Sequence, residues 1–251
     1  MTSAKVMLTL FAAVWLAGCS MVTPRHEPAP TLLSPYESRR VWAVAPLNNE
    51  SGSLQVDALA IADRLAQQLE NVGDLDVLPV NRVLKAMEAA EMSAVETPGD
   101  ARRLLRLLAV DGLVIGSITA YDPYDPPKLG LALELFVEPR VDRIDGPIDT
   151  RRLTRQATGD DVELAPGTVA DKAPVSQVSG FFDAADSRVR EALQAYAVER
   201  GAIDGAESWH RYRISMTRYS EFVSYAMSWR LLRAEAMRLN QAAASASPSS
   251  P

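Results

Sequence analysis

The sequence predicts an α/β fold, a mixed-sheet sandwich followed by carboxy-terminal helices. Over residues 40–138, short apolar runs rich in β-forming residues alternate with stretches whose apolar residues recur every three or four positions. Over residues 181–240 the helical spacing predominates. The resulting order is strand, helix, strand, helix, helix, strand, strand, which predicts a mixed sheet in a two-layer or three-layer sandwich.

The first predicted strand is residues 41–46, which Pro46 ends, and residues 47–53 form a loop of turn-forming residues. From Leu54 to Val72 the apolar residues keep spacings of three and four, which predicts one buried helical face. Gly73 is expected to close this helix, because glycine tolerates the left-handed conformation that ends many helices.

Residues 75–80 predict a second strand, after which Asn81 is expected to cap a helix and Asp100 to cap the next one. The mostly apolar run 113–121 predicts a buried central strand. In residues 129–137 leucine and valine occupy every second position, so this stretch is expected to pair antiparallel with the preceding strand.

Residues 139–180 are charged and rich in Pro, Gly and Asp without a period, which predicts a long loop with one short strand at 152–158. Residues 181–200 and 207–240 predict helices that pack on the core. The Ala, Ser and Pro tail 241–251 is expected to be disordered.

The amino terminus has the pattern of an export signal. Lys5 precedes an 11-residue, almost wholly apolar run, 6–16, which is too short to span a bilayer. The run ends in Leu16-Ala17-Gly18-Cys19, which resembles the lipobox of bacterial lipoproteins. The resemblance implies cleavage between Gly18 and Cys19, and palmitate-type acyl chains on Cys19. The alternative is a plain secretory signal with an incidental cysteine.

Together these patterns give a signal peptide over 1–18, a lipidated Pro-rich tether over 19–39, a sandwich core over 40–138 and a helical region over 181–240. The tether is expected to be extended and to hold the body away from the membrane. The residue after Cys19 is Ser20 and not Asp. The resemblance to Gram-negative lipoproteins therefore implies an anchor in the outer membrane, with the body on the periplasmic face.

The charge balance of the chain limits the class of binding partner. Lys5 is the only charged residue before Cys19, so 25 basic and 32 acidic residues remain after cleavage. An acidic body argues against nucleic acid or an anionic lipid surface as the main partner. Because the single cysteine would carry lipid, no disulfide is expected and the core alone must hold the fold.

Three apolar runs carry a second resemblance: VWAVAPLNNESG, LDVLPVNRVLKAM and LAVDGLVIGSITAYD. They resemble the α/β domain shared by the curli-secretion channel lipoproteins, the lipoprotein activators of penicillin-binding proteins and the TolB amino-terminal domain. The positions that match are Asn48, Asn49, Arg82, Asp111 and Gly116. The resemblance covers about residues 40–138 and implies this fold there. After Val137 the chain departs from it, and no lipid-facing hairpins of a pore follow.

Chemistry-bearing residues are few. His26 and His210 are the only histidines, and the sequence contains no Gly-x-Ser-x-Gly elbow and no phosphate loop. A zinc site needs more nitrogen or sulfur donors. Asp122 and Asp125 flank prolines and are interpreted as turn formers rather than calcium ligands. We therefore predict no catalytic residues, no metal and no cofactor.

Two sets of residues are candidate contacts. Asn48 and Asn49 follow a strand at the end where α/β sheets often bind ligands, although a structural loop is the simpler interpretation. The carboxy-terminal helices are rich in arginine, which predicts either a docking face or a solvated helix surface. The candidate arginines are Arg211, Arg213 and Arg218.

The leading hypothesis is a lipoprotein that acts by protein–protein contact in envelope assembly or secretion, without catalysis. An envelope protein would be its partner, and the acyl chains on Cys19 would bind the membrane. One alternative is a ligand-binding or hydrolytic module that uses the loop at Asn48. A second is an oligomeric export-channel component.

Overall fold

In the computed structural model, residues 28–138, 173–200 and 205–246 are described. The predicted signal peptide, cleavage site Gly18–Cys19 and first part of the tether lie outside these residues. So do most of the predicted loop, including its expected strand at 152–158, and the last five residues.

The described residues form a six-stranded mixed sheet and six helices. The predicted α/β class with carboxy-terminal helices is confirmed. The strands are β1 (Arg40–Val44), β2 (Asn48–Asn49), β3 (Leu75–Leu78), β4 (Gly112–Asp122), β5 (Lys128–Val137) and β6 (Ser176–Asp183). The helices are α1 (Ala58–Glu70), α2 (Val80–Ala89), α3 (Pro98–Leu108), α4 (Ser187–Glu199), α5 (Gly205–Ile214) and α6 (Met216–Ala246).

The strand order is β3-β1-β4-β5-β6, with β2 paired to β4 beyond the end of β1. β1 runs parallel to β3 and β4, and β2 runs parallel to β4. The predicted antiparallel pairing of β4 with β5 is confirmed. β6 then pairs antiparallel with β5, so β3 and β6 are the two ends of the described sheet.

Two hydrophobic clusters cover the two faces of the sheet. The larger one joins alternate residues of β4 and β5, such as Ile118 and Leu131, to α1 and α6. The smaller one packs α2 and α3 against β1, the start of β4 and the end of β5 through Leu104, Leu113 and Phe136. α6 covers one face of β6, and the opposite face of β6 lies outside both clusters.

Helix boundaries differ from the sequence expectations where capping decides them. α1 begins after Asp57, whose carboxylate accepts a hydrogen bond from Ala60 N (2.9 Å), so Leu54 stays outside the helix and fully exposed. It ends at Asn71 rather than at Gly73, and the positive φ nearby belongs to Asp74. A local carboxylate at the start of a helix outweighs one apolar residue that continues the spacing.

The two predicted caps of the following helices are also wrong. Pro79 and not Asn81 precedes α2, with no side-chain cap. Thr97 caps α3, and Asp100 is its partner in a capping box: Asp100 N donates to Thr97 Oγ1 (3.1 Å), and Thr97 N donates to the Asp100 carboxylate (3.0 Å). A proline at the first helical position, here Pro98, moves the cap three residues upstream of Asp100.

The loop and helix predicted around residue 180 are wrong between Ser176 and Asp186. Residues 176–183 are strand β6, and α4 begins only after Asp186, whose carboxylate accepts from Arg188 N (2.7 Å). Val178 and Phe182 face the larger cluster, but Gly180 stands between them, because a side chain there would meet Arg230 and Met227. The missing apolar residue hides the period of two.

The predicted tether is shorter than residues 19–39, since residues 28–39 pack on the body. Ala29 is buried, and the Tyr36 ring meets the Trp42 ring edge-on with 6.0 Å between their centroids. Arg39 donates two hydrogen bonds to Asp76 at the start of β3 (2.6 and 2.5 Å). We call residues 28–39 the strap.

Candidate functional site

The loop at Asn48 and Asn49 is held together by its own polar groups. Asn49 Oδ1 accepts hydrogen bonds from Ser51 N (3.1 Å) and Ser51 Oγ (2.7 Å), and Asn49 Nδ2 donates to Ser53 O (2.8 Å). The Asn48 amide donates to Val95 O at 3.5 Å. Such Asx-turn bonds stabilise the loop, so the amide of Asn49 is engaged in structure.

The candidate arginines lie on α5 and the start of α6. Arg213 Nη2 is 3.2 Å from Asp125 Oδ2, in the turn between β4 and β5. The guanidinium of Arg213 also lies 5.8 Å from the centre of the Trp209 ring. Arg218 lies 5.5 Å from the Tyr212 ring, and Arg211 is exposed. Among the described residues, no hydrogen bond or ion pair joins these arginines to Asn48 or Asn49.

Exposed apolar side chains border the Arg213–Asp125 ion pair. Tyr124, the chain neighbour of Asp125, is 69% exposed, and Ile214, the neighbour of Arg213, is 56% exposed. These two exposed side chains therefore adjoin, along the chain, both partners of the ion pair, and the partly buried Trp209 stacks on Arg213. We call Tyr124, Trp209, Tyr212, Arg213 and Ile214 the α5 patch. Tryptophan, tyrosine and arginine are the residue types enriched at the energetic centres of protein interfaces.

A second polar cluster is buried and was not foreseen from the sequence. Glu235 of α6 is fully buried. Its carboxylate accepts hydrogen bonds from Tyr36 Oη (2.8 Å) and Ser176 Oγ (2.8 Å), and from Arg238 Nε and Nη2 (2.7 and 2.6 Å). These bonds join the strap, the first residue of β6 and α6. We call this the Glu235 junction.

The electrostatics of the Glu235 junction favour one protonation state. Burial raises the pKa of Glu235, but the hydrogen bonds from Arg238, Ser176 and Tyr36 more than compensate and leave that pKa below its ordinary value. The pKa of Tyr36 is raised, first by burial and then by the charge of Glu235. The carboxylate is therefore ionised and the phenol protonated near neutral pH, as a structural hydrogen bond requires.

A weak sequence signal for this cluster exists. Glu235 falls between Leu232 and Leu239 on the apolar side of α6, and an acidic residue in that position needs a buried partner. Arg238, three residues later, is the local partner. Tyr36 and Ser176 are remote in sequence, so only the fold identifies them.

An aromatic cluster joins α4, α5 and α6 and contacts the strap. Tyr196 lies 4.9 Å from Tyr225 and 5.6 Å from Tyr212, measured between ring centres. Arg200 stacks on Tyr196 at 4.2 Å and donates to Gln68 of α1 (3.0 Å). The hydroxyl of Tyr225 donates to the carbonyl of Pro30, and burial raises the pKa of Tyr225 to about 12. These contacts hold the strap at a second point.

The fold defines a mixed-sheet α/β domain with packed carboxy-terminal helices. Solved structures similar to it include the LpoB C-terminal domain from Salmonella enterica, with 17% identity over 43% of this chain and 76% of that chain, at a TM-score of 0.34. Lipoprotein GNA1162 from Neisseria meningitidis has 13% identity over 66% of this chain and 99% of that chain, at a TM-score of 0.36. Hypothetical protein CT253 from Chlamydia trachomatis has 12% identity, 81% and 97% coverage and a TM-score of 0.34.

All three TM-scores lie below 0.5, so these similarities carry no conclusion about this chain, and the resemblance expected from the sequence stays a prediction. At this level of similarity no residue here takes its role from them. No protein-family model and no curated protein sequence matches the chain. Within the described residues, no helix combines the length and the hydropathy needed to cross a bilayer.

Proposed function

We propose that this protein is a lipoprotein anchored in the outer membrane on its periplasmic face, and that it acts by protein–protein contact in envelope assembly or secretion without catalysis of its own. The lipobox Leu16-Ala17-Gly18-Cys19 supports the anchor and the compartment. Acyl chains on Cys19 would give stable membrane attachment, since two or more chains bind far more strongly than one.

The observation that carries the proposal of a protein partner is the α5 patch. Tyr124 and Ile214 expose more than half of their side chains beside an ion pair that is itself partly exposed, at 26% for Arg213 and 51% for Asp125. An exposed ion pair alone adds little stability. Apolar side chains beside it, next to Trp209 and Tyr212, give the mixture of apolar and charged groups that protein interfaces have.

The polar clusters of the described residues support a structural role rather than catalysis. Asn49 uses its amide within its own loop. The Glu235 carboxylate has no exposed surface and all its hydrogen bonds go to protein donors. A general acid or base must reach the atom whose proton it moves, and Glu235 is closed off from any substrate.

Site-specific photo-crosslinking in intact cells tests this proposal. A photoreactive residue replaces Tyr124 in one strain and Leu107 in another. Leu107 is the control, because it is 52% exposed but lies on α3 in the layer on the opposite side of the sheet. We expect a discrete crosslinked envelope protein from position 124 and none from position 107. Equal capture at both positions, or none at position 124 above background, would contradict the proposal.

A variant pair separates binding from folding. Arg213→Ala removes the ion pair with Asp125 and the stacking on Trp209, so capture from position 124 should fall at least about tenfold if the patch is the interface, as truncation of a hot-spot residue does. Leu107→Ala, the matched control, should leave capture unchanged. Both variants should keep the melting temperature of the parent within a few degrees, since they change exposed or half-exposed residues.

A further inference from the structure

β6 lies at one end of the sheet that the described residues form. It is the last strand of the described sheet and is eight residues long, and no strand of the described residues pairs with its far edge. Its inner side bonds to β5 in the register Lys128↔Asp183 to Leu135↔Ser176. An edge of this length offers a row of backbone donors and acceptors to another chain.

The register fixes which groups point outward. Ala184 N donates to Pro127 O (3.0 Å), and in an antiparallel ladder every second residue bonds to the same neighbour. Val178, Gly180 and Phe182 therefore bond to β5, whereas Ser179 and Phe181 direct their N–H and C=O groups away from the sheet. Gln177 does the same.

One guanidinium already occupies this edge. Arg230 of α6 donates to Ser179 O (3.1 Å) and lies 4.8 Å from the ring of Phe182. It reaches the edge over Gly180, where any side chain would meet it. Among the described residues Arg230 has no carboxylate partner, so a positive charge stands next to the outward-facing backbone.

The side chains beside the edge are accessible. Gln177 and Ser179 are exposed, and Phe181 is 60% exposed on the face of the sheet opposite α6. In the described part of the chain, α2 and α3 cover only β1, the start of β4 and the end of β5 on that face. An aromatic ring is therefore available beside the outward-facing backbone of β6.

We propose that the outer edge of β6 accepts an extended segment of a partner protein as an added strand, with a carboxylate of that segment bound by Arg230. When a strand is added to a sheet edge, backbone hydrogen bonds supply the affinity and side-chain contacts supply the selectivity. A second copy fits less well, because pairing two β6 edges would bring two Arg230 guanidiniums to one ladder and like charges repel. This surface is distinct from the α5 patch and extends the proposed function.

The probe for the test is a fluorescent peptide of alternating valine and aspartate, and its lysine counterpart is the charge control. Anisotropy is measured with the full-length protein in detergent. We expect saturable binding of the aspartate peptide, and binding at least about tenfold weaker for the lysine peptide, which corresponds to 1.4 kcal/mol. Equal binding of both peptides, or no binding of the aspartate peptide, overturns the proposal.

A matched pair of variants tests the backbone pairing. Ser179→Pro removes one outward N–H, while the inward hydrogen bonds of Val178 and Gly180 stay. We expect this variant to keep the fold and to bind the aspartate peptide at least about tenfold more weakly than the parent. Gln177→Ala changes an exposed side chain at the same edge and should bind like the parent. Unchanged binding in Ser179→Pro overturns the proposal.

Amide hydrogen exchange of the unmutated protein gives a readout that needs no variant. On saturation with the aspartate peptide, exchange at the amides of Gln177, Ser179 and Phe181 should slow at least about tenfold, whereas Val178 and Gly180 are already bonded and should not change. Unaltered exchange at Ser179 and Phe181 overturns the proposal.

Sedimentation tests the competing occupant. A dimer that Ser179→Pro abolishes also overturns the proposal, because the edge would then bind a second copy. Arg213→Ala should leave peptide binding unchanged, which separates this test from that of the α5 patch.

Discussion

The hydroxyl of Tyr36 donates a 2.8 Å hydrogen bond to Oε1 of Glu235, which lies 199 positions later in the chain. Ser176 and Arg238 complete the donors around the same carboxylate. One buried charge thus holds the strap, the edge strand and the longest of the described helices together. Removal of any donor leaves part of that charge without compensation.

Tyr36→Phe should lower the free energy of unfolding by about 1–3 kcal/mol, because a buried carboxylate loses one of its donors while the ring packing stays. Chemical denaturation measures the change. Tyr124→Phe is the control: its ring is 69% exposed, and the expected change is within about 0.5 kcal/mol. Equal stability of the two variants would count against a structural role for the Tyr36 hydroxyl.

Glu235 should make stability depend on acid pH. Its pKa in the folded protein lies below the ordinary value of 4.5. The unfolded chain therefore binds the proton more readily, so the contribution is full above about pH 4.5 and is lost as the pH falls through the lower folded value. Glu235→Gln should be less stable than the parent at neutral pH but should lose less stability on acidification. Parallel pH profiles from urea denaturation would refute this.

Gly116→Ala should destabilise the fold by about 1–3 kcal/mol. A Cβ at Gly116 would press on the carbonyl of Ala132 and on the Leu133 side chain, within the longest strand pair of the described sheet. Gly73→Ala is the control, since nothing lies within 4 Å of the added atom. It should be neutral or stabilising by about 0.4–1 kcal/mol. Thermal unfolding compares the two, and a neutral Gly116→Ala would mean that the strand pair can separate at that point.

Thr97→Ala should cost about 0.5–2 kcal/mol, because it removes the hydroxyl that caps α3 and half of the capping box with Asp100. Thr31→Ala, at an exposed position of the strap, should change the melting temperature little. If the two variants melt alike, Pro98 alone sets the start of α3.

Cys19→Ala should release the protein from membranes, because the lipobox cysteine is the only sulfur nucleophile available for acylation. Intact mass of the parent should show the acyl chains on residue 19, and fractionation should move the variant to the soluble fraction. Ser20→Ala should remain acylated. A membrane-bound Cys19→Ala protein would remove the basis of the proposed compartment.

The sequence was sufficient where a pattern is long and local. In β5 leucines at every second position from Leu129 to Leu135 are all buried, and their alternation predicts both the strand and its inward face. β4 carries the mostly apolar run 113–121, and the turn between the two strands is short, so their pairing also follows.

The sequence was insufficient where the deciding partner is remote. β6 contains Gly180 because Arg230 crosses it, and nothing near residue 180 indicates that contact. Glu235 lies on an apolar helix face, where its carboxylate accepts hydrogen bonds from Tyr36 and Ser176. Both donors lie in segments that the sequence predicted as a free tether and a loop. The α5 patch depends on Asp125 meeting Arg213, again a contact that only the fold produces.

The strap also shortens the reach of the body from the proposed anchor. With residues 28–39 held against the body, eight residues, 20–27, lie between Cys19, the proposed anchor, and the first residue of the strap. Even fully extended, the chain from Cys19 to residue 28 spans roughly 30 Å, whereas a free segment up to Arg39 would span roughly 70 Å. If Cys19 carries the proposed lipid anchor, a binding partner must come to within a few tens of ångströms of the lipid headgroups, or carry its own extension down to them.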